Sequence, residues 1–66
     1  MKIRAITPMG TFVSVELHLK DPQRKELTEM LTTKLKDLKY FNFDTEDGPV
    51  YFGSDVIQNS VFVLLD

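Results

Sequence analysis

The sequence predicts an α+β fold: a five-stranded, mostly antiparallel sheet with one amphipathic helix packed on one face, in the chain order β-β-α-β-β-short turn-β. Three observations predict it. Polar and apolar residues alternate through residues 2–6 and again through 11–20. Apolar residues recur at three- and four-residue steps between residues 22 and 38. Residues 61–65 are apolar without interruption, as in a strand covered on both faces.

In the first element Ile3 and Ala5 share one side of a strand and Lys2 and Arg4 the other. Thr7-Pro8-Met9-Gly10 has the chemistry of a type I turn closed by a left-handed residue, so a hairpin follows. In its second strand Val13, Val15, Leu17 and Leu19 are expected to face a core. Phe12, Ser14, Glu16, His18 and Lys20 take the opposite side.

Asp21-Pro22 reads as a helix start, with the carboxylate as N-cap and Pro at the first helical position, where its missing N–H costs nothing. Leu27, Met30, Leu31, Leu35 and Leu38 then make one apolar stripe, and Lys34, Lys36 and Lys39 fall in the last turns, where cations suit the helix dipole. Lys25, Glu29, Thr32, Thr33 and Lys36 are expected on the solvated face. Phe41 and Phe43 share a side, as do Val50 and Phe52, across the turn Thr45-Glu46-Asp47-Gly48. Pro49 places this second hairpin at the periphery. Residues 54–60 read as a short helical turn capped by Ser54 and ending near Asn59. The last strand, residues 61–65, is expected inside the sheet.

Sixty-six residues allow a single domain spanning 1–66. A chain of this size buries only about 60% of the surface its unfolded form exposes, and small scaffolds need disulfides, a metal or a partner to compensate. With no cysteine and one histidine, association is the support left open, and a homo-oligomer, first of all a dimer, is expected. Lys2 and Arg4 interrupt any leader-like apolar run, and no stretch approaches the ~18 residues of a membrane span, so a soluble, cytoplasmic protein is expected.

A formal net charge of −2 argues against sequence-independent binding of nucleic acid. The charges are unevenly placed: all eight Lys and Arg lie in residues 1–39, and residues 40–66 carry five acidic groups and no Lys or Arg. His18 has no second imidazole with which to build a metal or catalytic cluster. Asp44, Glu46 and Asp47 miss the calcium-loop template, which would put Phe43 where a carboxylate belongs. The three glycines form no phosphate-cradling loop, and Ser14, Ser54 and Ser60 lie in no nucleophile elbow. No metal, cofactor or catalytic residue is expected, and the chain reads as a non-enzyme.

One helix covers one side of a sheet. The two-residue period puts one set of the last strand, say Val61, Val63 and Leu65, on the covered side and leaves Phe12, Tyr40, Tyr51, Phe62 and Leu64 uncovered, unless residues 54–60 fold back over them. Apolar patches of that size mark interaction sites. The expected function is therefore a small protein-interaction or regulatory module that self-associates, or binds a larger protein, through those five residues. The alternative is a small-molecule or nucleotide binder with a pocket between subunits, contacted by Arg4, His18, Lys20 and Tyr51.

Overall fold

A computed structural model describes residues 1–66. Its strands are β1 (Lys2–Thr7), β2 (Gly10–Val13), β3 (Tyr40–Thr45), β4 (Gly48–Gly53) and β5 (Val61–Leu65). Helices α1 (Asp21–Glu29) and α2 (Ser54–Gln58) lie between them. The fold is α+β and every strand pair is antiparallel, but the strands form two sheets, β2-β1-β5 and β3-β4, and not the single five-stranded sheet expected. The break falls where the chain leaves β2. Val15 N–H donates to the Asp44 carbonyl of β3 at 2.8 Å, and this is the sole backbone hydrogen bond between the segment after β2 and the second sheet.

Both hairpins turn on the same four-residue device, Thr-x-x-Gly. Thr7 Oγ1 donates to the Gly10 carbonyl at 2.7 Å and accepts Met9 N–H at 3.1 Å. Thr45 Oγ1 repeats this with the Gly48 carbonyl and Asp47 N–H at 2.7 and 3.1 Å. Gly10 and Gly48 close the turns at φ +135° and +117°, a region that side chains disfavour.

A bulge after β2 overturns part of the expected facing. Through Val13 the ladder with β1 runs in constant register, with Ala5 opposite Phe12 and Arg4 opposite Val13. Phe12 therefore points to the core and Val13 away from it, the reverse of the alternation argument. At Ser14 the side chain intervenes: its Oγ accepts Ile3 N–H at 2.8 Å, in place of its own carbonyl, and donates to Val15 C=O at 2.9 Å. Pairing resumes with Leu17 N–H donating to Met1 C=O at 2.8 Å, one residue out of step, so Leu17 again faces inward as expected. Ser14, assigned to the open side, is buried.

The helix is not one α-helix over residues 22–38. It begins at Asp21, one residue early, so Asp21 is its first helical residue and not its N-cap. Gln23 Oε1 accepts the N–H of the capping residue Lys20 at 3.0 Å. After Glu29 the chain widens into a π-turn, Met30–Lys34, and then tightens into a 3-10 turn, Leu35–Asp37. The hydroxyls of Thr28, Thr32 and Thr33 donate to the carbonyls of Arg24, Thr28 and Glu29, a back-bonding that bends helices. Eight residues of α-helix would carry Leu35 about 80° past the direction of Leu27. The wider turn rotates less per residue and returns Leu35 to the stripe, where it is buried beside Leu27, Met30, Leu31 and Leu38.

The core joins both sheets and both helical segments. Ile3, Ala5, Leu35, Phe43, Phe52 and Ile57 are buried. All five phenylalanines form one connected cluster, in which Phe52 touches Phe12, Phe43 and Phe62 at ring distances of 5.8, 5.4 and 5.7 Å and Phe41 completes it against Phe62 at 5.5 Å. Helix α2 contributes Ile57, at 0% exposure, to a position that sequence periodicity did not single out; its cap is Gly53 and not Ser54. No helix is long and apolar enough to cross a membrane.

Candidate interaction surface

On the outer side of the three-stranded sheet, period and register bring together Val13 from β2, Lys2, Arg4 and Ile6 from β1, and Val61, Val63 and Leu65 from β5. Arg4 stands between Val13 and Val63, and Ile6 lies directly opposite Val61. Val61 is 59% exposed, Ile6 45% and Val13 37%. An uncovered apolar face therefore exists, with different members from those the alternation argument gave.

Strand β5 is also an edge, not the interior strand expected. Ser14 N–H bonds to Ile3 C=O, so Ile3 and Ala5 turn their backbone groups toward β2, and Lys2, Arg4 and Ile6 turn theirs toward β5. It follows that Val61, Val63 and Leu65 complete the ladder with β1, and that Phe62 and Leu64 direct N–H and C=O away from the sheet. No other element supplies them a hydrogen-bond partner. Edges of this kind are ordinarily blunted by Pro, charge or a bulge. In the two-stranded sheet β4 carries Pro49, whereas Val61-Phe62-Val63-Leu64-Leu65 has none of these.

Charge stands at both ends of this edge. At its start the Lys36 ammonium donates to the carbonyls of Ile57, Gln58 and Ser60 at 2.7, 3.2 and 3.2 Å, which closes the C-terminus of α2 and ties the 3-10 turn to it. Lys36 is exposed, as expected, with its ammonium end laid against the carbonyls that close α2. Beyond its end Asp66 Oδ1 accepts from Arg24 Nη2 at 2.7 Å, an exposed ion pair that contributes little to stability.

The five residues expected at an interface are divided by the structure. Phe12, Phe62 and Leu64 pack against the buried core, and the correction has two sources: the register of β2 runs one residue out of phase before its bulge, and the doubly apolar β5 gives no periodic signal for either face. These three side chains are partly buried. Tyr40 and Tyr51 are exposed, at 71% and 69%, on the outer side of the β3-β4 sheet, a different surface from that of Val61.

Arg4, His18, Lys20 and Tyr51 are not brought together. Arg4 lies on the outer face of β1, Tyr51 on β4, and Lys20 at the start of α1. His18 lines a cleft of about 490 Å³ with Met1, Leu17, Leu19, Arg24 and Asp66. The largest cleft, about 560 Å³, lies where Val15, Leu17 and Leu19 pass Leu27 and Phe43, with Glu26, Asn42 and Asp44 on its walls. None of the four residues lines it.

Glu16 lies beside the N-terminal ammonium. Its carboxylate lies 2.9 Å from the Met1 ammonium, and this hydrogen bond above all, then the charges of that ammonium, Lys2 and His18, hold its pKa below the usual carboxylate range against some desolvation. No three of the His, Asp and Glu side chains converge as metal ligands. Compared with known proteins, the chain matches no family model, no curated protein and no solved structure.

Proposed function

We propose that the chain is a small protein-interaction module that works by association and not by catalysis, through the outer face and free edge of β5. The observation that carries this reading is Val61–Leu65: an edge strand, apolar on both faces, whose outward amides and carbonyls at Phe62 and Leu64 have no partner. The exposed Ile6 and Val13 extend its apolar face across the sheet.

The test belongs at Val61, which is exposed, and not at Phe62, where a lysine would disrupt the aromatic core before it reported on association. Wild type, Val61→Lys and Tyr51→Lys are compared by sedimentation velocity across concentration and by the proteins each retains from an extract. The reading expects Val61→Lys to lose association that wild type and Tyr51→Lys keep. If all three behave alike in both assays, the reading is wrong.

A further inference from the structure

We infer that the occupant of the β5 edge is a second copy of this chain, paired antiparallel about a two-fold axis at Val63; this deepens the reading above and rests on it. Two β5 strands can meet only through residues whose backbone groups point outward, Phe62 and Leu64. A two-fold axis at Val63 sets Phe62 opposite Leu64 of the second copy and Leu64 opposite its Phe62, so each outward N–H finds an outward C=O. It is also the register in which all five residues of the strand overlap. On the outer face Val61 then meets Leu65 of the second copy and Val63 meets its equivalent, so every cross-strand pair is apolar.

The charges select the same arrangement. Asp66, just past the end of the strand, falls opposite Ser60 of the second copy, whose carbonyl holds the Lys36 ammonium at 3.2 Å. Antiparallel pairing thus brings a carboxylate to an ammonium at both ends. Parallel pairing would set ammonium beside ammonium and carboxylate beside carboxylate. The product is a continuous six-stranded sheet in which neither β5 remains an edge.

The test exploits the cross-pair of 61 with 65. Within one strand these positions lie about 13 Å apart, too far to pair with each other. Across the axis Val61→Lys/Leu65→Glu therefore gains attraction and Val61→Lys/Leu65→Lys repulsion; position 65 also faces Lys2 of its own β1, an effect within the chain that bears on its folding and does not depend on protein concentration. Light scattering during size exclusion is expected to show wild type at twice 7.6 kDa. The Lys/Glu chain is expected to remain dimeric, and the Lys/Lys chain to dimerise about tenfold or more weakly. A chain synthesised with N-methyl-Leu64 keeps every side chain, deletes one outward donor, and is expected to be monomeric at the same concentrations. Circular dichroism of each chain reports whether it has folded. If wild type stays at 7.6 kDa up to about 1 mM, a concentration at which even a pairing near −4 kcal/mol is half formed, the second copy is ruled out. The module reading would still stand if Val61→Lys lost a different protein. Equal dimerisation of the Lys/Glu and Lys/Lys chains would overturn the register.

Discussion

Ser14 shows how one side chain can reset a strand. Its hydroxyl takes the Ile3 N–H that its carbonyl would have accepted, and the ladder slips by one residue around it. Replacing it by alanine leaves a buried amide without a partner, which costs about 1–3 kcal/mol. Urea unfolding of Ser14→Ala should show that loss, whereas Ser54→Ala, at an exposed position with no side-chain cap, should stay within about 0.5 kcal/mol of wild type. Glu16 makes a second prediction at this scale. Its folded pKa lies below its unfolded one, so its contribution is present above the ordinary carboxylate range and is lost as pH falls through the folded value. Thermal midpoints followed against pH should therefore fall less steeply on the acid side for Glu16→Gln than for wild type.

At the scale of elements, the joint between the 3-10 turn and α2 depends on Lys36. Lys36→Met keeps the aliphatic stem and removes the charge from the end of α2, and should cost about 1 kcal/mol, with faster amide exchange at Asn59 and Ser60 than elsewhere. Elements of this kind mark the boundary of what was legible in the sequence. Both hairpins, the stripe from Leu27 to Leu38 and the inward faces of β1, β3 and β4 follow from periodicity and turn chemistry, and the structure has all of them. The facing of Phe12 was lost because a bulge changes phase without changing composition. That of Phe62 and Leu64 was lost because a strand apolar on both sides carries no period to read. Ile57 escaped because α2 has only five residues, less than two turns of any repeat. The Thr-x-x-Gly pair was present in the sequence and would have shown the two hairpins to be equivalent.

At the scale of the whole molecule, the chain is a slab of 30 × 27 × 15 Å with eight buried residues. A body so thin offers broad faces and a small core, which is why a single domain of this length gains from a partner. Its radius of gyration, 11.3 Å, matches the roughly 11 Å of a compact domain this size, so association would add to a fold that already closes on its own. Tyr40 and Tyr51 are exposed on the second sheet and are not required for that association.

Amide hydrogen exchange across a range of protein concentration tests the edge most directly. If β5 is the contact, Phe62 and Leu64 exchange rapidly in dilute protein and become protected as concentration rises, while Val61, Val63 and Leu65, already bonded to β1, change little. Exchange at Phe62 and Leu64 that is independent of concentration, with or without other proteins present, would contradict the account.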